Sequence, residues 1–145
     1  MEKLAIACDH GGYDLKEAIK VHFAGMVEFI DLGTNSIDSV DYPEYGRAMA
    51  KAIINEDAPR GILICGTGIG ISIAANRYSQ VRAANCTSVE MARLARAHND
   101  ANVLALGARI IDEQLAFDII DTFLNTKYEA GRHERRVNQL TKGNI

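Results

Sequence analysis

The chain has 145 residues, of which 48% are hydrophobic and 24% charged, and its formal net charge is −3. This length suits a single domain over residues 1–145, and the composition excludes disordered and collagen-like chains. Because the apolar runs fall short of the ~20 residues of a membrane span and the net charge is slightly negative, we expect neither a membrane nor a nucleic-acid partner.

Short apolar runs alternate with amphipathic stretches along the whole chain. This pattern predicts strands at 4–8, 27–32, 61–65, 81–86 and 103–106, and helices at about 13–24, 43–55, 70–78, 88–97 and 112–124. Ser88 and Asp112 stand where helix N-caps are expected. The alternation indicates an α/β fold, a Rossmann-like three-layer sandwich with a five-stranded parallel sheet and helices on both faces. Residues 127–145 follow as a C-terminal helical arm.

The three cysteines have no paired spacing and no neighbouring histidine cluster. This usage favours a reducing compartment over a disulfide framework, so we predict a cytoplasmic protein without a structural zinc site. Cys8 and Cys86 are interpreted as small buried apolar residues. Cys65 is either a third core residue or a catalytic group.

Candidate functional residues follow the ends of the predicted strands, where open α/β sheets bind their ligands. Acid, imidazole, hydroxyl, thiol and guanidinium groups are therefore expected along one edge of the sheet. The segments concerned are residues 9–12, 33–34, 65–70, 87–88 and 107–109.

Residues 66–70, the glycine loop, join a buried strand to a helix. Three glycines in five residues expose backbone N–H groups that can cradle an anion. The loop does not fit a dinucleotide fingerprint, since Ile71 stands where the third glycine belongs, and it lacks the lysine of a nucleotide phosphate loop. We expect a small anion or an oxyanion here, the alternative being a tight turn that merely needs glycine. The helix start also stabilises a thiolate at Cys65, which favours its catalytic interpretation.

The C-terminal arm carries a local excess of positive charge. Arg132, Arg135, Arg136 and Lys142 oppose Glu134 within eleven residues. Such a run is a solvated helix face or an anion clamp. Arg132 and Arg136 are four residues apart and would point the same way on a helix, which favours the clamp.

Five segments occur in an order that resembles one family. They are Asp9–Gly12, Asp41–Pro43, Cys65–Asn76, His98–Asn102 and Gly131–Val137. Together they resemble the sugar-phosphate isomerase family of ribose-5-phosphate isomerase B and the galactose-6-phosphate isomerase subunits. The resemblance covers essentially the whole chain.

The resemblance implies an aldose–ketose isomerase that interconverts D-ribose 5-phosphate and D-ribulose 5-phosphate through a cis-enediolate, in the non-oxidative pentose phosphate pathway. It implies no metal and no cofactor. Some relatives place a glutamate further along the loop, where this chain has Ile71 or Ser72, so this chain resembles the type that uses cysteine.

The resemblance also assigns roles to individual residues. Cys65 would move the proton, Thr67 and the amides of Gly66, Gly68 and Gly70 would hold the enediolate oxygens, and His98 would open the sugar ring with help from Asp9. Phosphate would be bound by His10, Arg132 and Arg136, with Asn99, Arg109 and Tyr42 as further contacts.

The predicted helix 88–97 runs back from the carboxyl edge of the sheet and carries His98 away from Cys65. Either this helix prediction is wrong or the two residues meet across two subunits, and the resemblance likewise implies a homodimer with shared active sites. We expect such a dimer, with tetramers as a further possibility.

Two alternatives remain open. A hexose-phosphate isomerase acting on allose 6-phosphate or galactose 6-phosphate would use the same chemistry in a differently sized pocket. A non-catalytic phosphosugar sensor would need the glycine loop and the arginines. It would not need Asp9, Cys65 and His98 together, and their joint presence disfavours it.

Overall fold

The computed structural model describes residues 1–143, which form one five-stranded parallel sheet flanked by α-helices. The strands are β1 Glu2–Cys8, β2 Val27–Asp31, β3 Arg60–Cys65, β4 Ala83–Asn85 and β5 Val103–Gly107. The helices are α1 Tyr13–His22, α2 Tyr42–Ile54, α3 Ile69–Ala75, α4 Val89–Ala97, α5 Glu113–Asn125 and α6 Glu134–Lys142. The predicted fold class is confirmed. Within residues 1–143, no helix has both the length and the apolar character needed to cross a membrane.

The predicted elements agree with the structure apart from their ends. The Ser88 hydroxyl accepts a hydrogen bond from the Met91 amide over 3.1 Å, and Asp112 accepts one from Leu115 over 2.8 Å, so both predicted N-caps are confirmed. β4 is shorter than residues 81–86, because the Arg82 amide bonds to the Asn102 side chain instead of continuing the strand. α3 ends before residue 78, and the side chain of Asn76 turns to the backbone of Ala83.

The strand order is β2-β1-β3-β5-β4, with every neighbouring pair parallel. The chain therefore reverses its direction of winding between β1 and β3. The crevice at the carboxyl ends of two such strands is where open α/β sheets place their ligands. In this chain it lies between the residues that follow Cys8 and those that follow Cys65.

Two apolar layers hold the helices against the sheet. Leu4 and Ile6 of β1 pack in one layer with residues of α1, α4 and α5, whereas Ala5 and Ala7 pack in the other with residues of α2 and α3. This alternation follows from the period of two along a strand. With both faces covered, only the edges and the ends of the strands are left for a functional site.

Candidate active site

The thiol of Cys65 lies at the start of the glycine loop. Cys65 is 5% exposed, and its Sγ accepts a hydrogen bond from the Gly68 amide over 3.1 Å. Gly68 has φ +80°, in the left-handed region that favours glycine. The loop therefore curls back over the sulfur and places it at the first turn of α3, as the sequence predicts.

Thr67 occupies the exposed tip of this loop. Its Oγ1 accepts a hydrogen bond from the Ile69 amide over 3.1 Å. The Gly68 amide bonds to the Cys65 sulfur and the Ile69 amide bonds to the Thr67 hydroxyl. Two backbone donors of the loop are therefore already engaged within it. The role of Thr67 and the other loop amides toward an enediolate stays a prediction.

Asp9 and the residues after β1 lie directly against the glycine loop. Asp9 is 8% exposed, and its Oδ1 accepts a hydrogen bond from the Gly12 amide over 3.2 Å. A Cβ on Gly11 would lie 3.3 Å from that oxygen and 3.5 Å from the Gly66 nitrogen. The two predicted segments therefore meet across the crevice between β1 and β3.

The imidazole of His10 is held by a residue that sequence reasoning missed. The Val40 amide donates a hydrogen bond to Nδ1 of His10 over 3.1 Å. A neutral imidazole whose Nδ1 accepts a hydrogen bond carries its proton on Nε2. His10 therefore presents an N–H donor at Nε2, which suits an anionic ligand.

A buried ion pair anchors the start of the loop that carries Val40. Lys16 is fully buried and donates to both carboxylate oxygens of Asp31, over 2.7 and 2.8 Å, and Asp31 also accepts from the Gly33 amide over 2.9 Å. Partial burial by itself acts to raise the pKa of Asp31, but hydrogen bonds from Lys16 and Lys20 outweigh it and hold that pKa below its ordinary value. The pair ties α1 to the end of β2.

Arg109 and Tyr42 flank the glycine loop on its two sides. The Arg109 amide donates to the Gly66 carbonyl over 2.9 Å, and its side chain lies 3.5–3.6 Å from where a Cβ of Gly66 would stand. The ring of Tyr42 lies so close to Gly70 that a Cβ there would be 2.6 Å away. The predicted site residues at this end of the sheet are together called the Cys65 group. They are Asp9, His10, Tyr42, Cys65, Gly66, Thr67, Gly68, Gly70 and Arg109.

A second set of predicted site residues surrounds His98 at the end of α4. The imidazole of His98 stacks on that of His133, with ring centroids 4.2 Å apart, and its Nε2 lies 3.9 Å from the Glu129 carboxylate. Partial burial, together with the neighbouring His98 and Arg132, lowers the pKa of His133. We call the predicted residues here the His98 group: His98, Asn99, Arg132 and Arg136.

The arginine prediction is wrong in one detail. Arg132 lies in a 3₁₀ turn, Gly131–His133, and Arg136 lies in α6, so the two do not share one α-helix. The reason is local, since the His133 amide bonds to the Ala130 carbonyl over 2.9 Å and closes a tighter turn before α6 begins. Both arginines are exposed, and within residues 1–143 neither forms a salt bridge.

The two groups lie at opposite ends of the strands, the Cys65 group at their carboxyl ends and the His98 group at their amino ends. Asn102, four residues after His98, accepts a hydrogen bond from the Gly61 amide at the start of β3, whereas Cys65 ends that strand. The residue steps from Gly61 to Cys65 amount to roughly 13 Å. As the direction of α4 predicts, one chain does not bring His98 to its own Cys65.

Among residues 1–143, His98, Glu129 and His133 form a cluster that could hold a metal ion. Their ligand atoms lie within 4.8 Å of one another. Donor atoms around a tetrahedral zinc are about 3.3 Å apart. Glu129 is exposed, and the cationic Arg132 lies 3.5 Å from the His133 ring. The cluster therefore needs rearrangement before it fits a metal.

The fold places a thiol and a glycine loop at the switch point of the parallel sheet, where open α/β proteins bind their ligands. The model of the ribose/galactose isomerase family matches residues 4–140, and the chain belongs to this family.

Individual relatives agree with this assignment. Ribose-5-phosphate isomerase B of Escherichia coli is 47% identical over 142 residues, which are 97% of this chain and 95% of the relative. The solved ribose 5-phosphate isomerase of Thermotoga maritima has a TM-score of 0.95 and 51% identity, covering 97% of this chain and 98% of its own. The enzyme of Mycoplasma genitalium with bound ribulose-5-phosphate has a TM-score of 0.91 and 40% identity, covering 97% and 95%.

Proposed function

We propose that the chain interconverts D-ribose 5-phosphate and D-ribulose 5-phosphate by proton transfer through a cis-enediolate. The observation that carries this proposal is the Cys65 thiol at the start of the glycine loop, 3.1 Å from the Gly68 amide, in a member of the ribose/galactose isomerase family. Relatives named ribose-5-phosphate isomerase B align over nearly the full chain, which supports the pentose substrate.

In the proposed reaction, the Cys65 thiolate removes the proton from C2 of the open-chain aldose. The electron pair forms the C1–C2 double bond, and the negative charge develops on the C1 oxygen. Thr67 and the free amides of the glycine loop stabilise this oxygen and its neighbour. The cysteine then returns the proton to C1, while the C2 hydroxyl proton passes to the C1 oxygen, giving the ketose.

We assign substrate phosphate to His10, Arg132 and Arg136, with Asn99, Arg109 and Tyr42 as further contacts. His10 offers a defined N–H donor at Nε2, and the two exposed arginines carry charge that no salt bridge within residues 1–143 neutralises. Guanidinium groups are well suited to a phosphate dianion. We assign the opening of the sugar ring to His98, with help from Asp9.

This assignment requires a homodimer, because His10 belongs to the Cys65 group and the arginines to the His98 group. Apolar side chains are exposed near the carboxyl ends of three strands, with Ile69 at 56%, Val89 at 39% and Ile110 at 56% exposure. Such side chains favour burial against a second subunit, which would bring its His98 group to this edge. The three free thiols suit a cytoplasmic location.

A spectrophotometric assay that compares ribose 5-phosphate with allose 6-phosphate and galactose 6-phosphate tests the proposed function. We expect the largest kcat/KM for ribose 5-phosphate and no change on adding a chelator. A larger value for either hexose phosphate would replace the proposal with the hexose-phosphate alternative. Binding of ribose 5-phosphate without turnover would favour a sensor, and loss of activity with chelator would overturn the metal-free mechanism.

Two substitutions of His10 separate the roles of its ring nitrogens. In His10→Gln the amide nitrogen takes the place of Nε2, whereas in His10→Asn the side chain keeps a partner for the Val40 amide and loses the donor at Nε2. We expect the KM for ribose 5-phosphate to rise about tenfold or more in His10→Asn and by only about threefold in His10→Gln, since a hydrogen bond to a charged group is lost only in the former. The opposite order in steady-state kinetics would reject the assigned tautomer.

A further inference from the structure

Asn85, at the end of β4, contacts the glycine loop from a strand that is not its neighbour. Its Nδ2 donates a hydrogen bond to the Thr67 carbonyl over 3.3 Å. β5 lies between β3 and β4 in the sheet. The loop that leaves β3 must therefore cross the end of β5 to reach Asn85.

The end of β5 is shaped for this crossing. A Cβ on Gly107 would lie 2.5 Å from the Thr67 carbonyl oxygen, so no larger residue fits beneath the loop without displacing it. On the other side, a Cβ on Gly68 would lie 2.5 Å from Oδ1 of Asn85. The loop is thus held between the backbone of β5 and the Asn85 side chain.

The amide of Asn85 is not accounted for by packing alone. Its Oδ1 is shielded from water and has no hydrogen-bond partner among the side chains and backbone of residues 1–143. A buried acceptor without a partner destabilises the fold, and an apolar residue would avoid this cost. The side chain therefore has a use at this position beyond filling space.

We propose that Asn85 is a positioning residue for the isomerase reaction, which holds the Thr67 peptide and thereby sets where the Gly68 amide meets the Cys65 sulfur. Gly68 follows Thr67 directly, so a shift of the Thr67 carbonyl moves the next amide with it. The alignment of a catalytic group within a fraction of an ångström has a large effect on rate. This inference rests on the proposed function for its kinetic readout only.

Asn85→Ala, Asn85→Asp and Gly107→Ala perturb the contact from two sides. We expect kcat for ribose 5-phosphate to fall about tenfold to a hundredfold in each, with KM changed by less than about threefold, because the groups assigned to substrate phosphate stay in place while the thiol and the loop are misaligned. Asn85→Asp keeps the size of the side chain and places a carboxylate against the Thr67 carbonyl, so it decides the matter if the alanine variant folds poorly.

Asn76→Ala is the matched control. Asn76 makes two hydrogen bonds to the backbone of Ala83, at 2.8 and 2.9 Å, so its loss weakens the other end of β4 without touching the glycine loop. We expect kcat within about twofold of the parent chain for this variant. A fall as large as that of Asn85→Ala would show that both act only through the stability of β4.

A second readout does not depend on the substrate. The rate of alkylation of Cys65 by iodoacetamide, followed by peptide mass spectrometry, should rise at least about threefold in Asn85→Ala and stay unchanged in Asn76→Ala, since only the former frees the sulfur from the loop. Unchanged kcat and alkylation in both Asn85 variants would overturn the proposal. An inactive parent chain would contradict the proposed function, while the alkylation rates would still decide the role of Asn85.

Discussion

Replacing Cys65 with alanine should lower kcat for ribose 5-phosphate by about 10³-fold or more, because a positioned proton-transfer group contributes a rate factor of that order. The phosphate contacts lie on other residues, so the Kd for ribose 5-phosphate, measured by calorimetry, should change by less than about threefold. Turnover comparable to that of the parent chain would remove Cys65 from the mechanism.

Cys86→Ala is the appropriate control for this experiment. Cys86 is 1% exposed, and burial raises the pKa of its thiol to about 11, so it stays protonated at neutral pH. Burial likewise raises the pKa of Cys8 to about 11. We expect Cys86→Ala to keep kcat within about threefold of the parent chain, which separates loss of the base from loss of a buried thiol.

Mixing Cys65→Ala protein with His98→Ala protein should restore activity that neither has alone. In a shared-site dimer each heterodimer contains one intact site, formed by the Cys65 of one subunit and the His98 group of the other. Random pairing makes half of the dimers heterodimers, so about a quarter of the parent activity should return after subunit exchange. The measurement is the initial rate before and after exchange, with heterodimers quantified by native mass spectrometry.

A mixture of two variants whose substitutions both lie in the His98 group is the control for this experiment. Arg132 and His98 belong to the same group, so Arg132→Ala mixed with His98→Ala leaves every site defective and should show no recovery. Arg132→Ala mixed with Cys65→Ala should recover like the first pair. Absence of recovery in both cross-group mixtures, with heterodimers present, would contradict the shared site and leave the isomerase activity itself to the substrate assay.

The Cys65 group could be predicted from the sequence because parallel strands end at one edge. If residues 4–8 and 61–65 are parallel strands of one sheet, Asp9 and Cys65 must both lie at the carboxyl ends of the strands. The separation of His98 followed equally from the length of its helix. Both are consequences of regular secondary structure, which the hydrophobic pattern encodes locally.

Two contacts could not be predicted, since each depends on irregular backbone or on strand order. The bond from Val40 to His10 joins residues 30 apart through a loop without a periodic pattern. The bond from Asn85 to Thr67 needs β5 to lie between β3 and β4. For the second contact, the signal in the sequence was Asn85, one of two polar residues within the predicted strand 81–86.

The sequence by itself determined the fold class, the glycine loop with its thiol, and the family, because alternating hydrophobic periods and short motifs are local properties of the chain. The tertiary structure decided which of these residues meet. It separated the Cys65 group from the His98 group, held His10 in one tautomer, and brought Asn85 against the glycine loop. Such contacts depend on strand order and on loop backbone conformation, which arise only when the whole sheet is assembled.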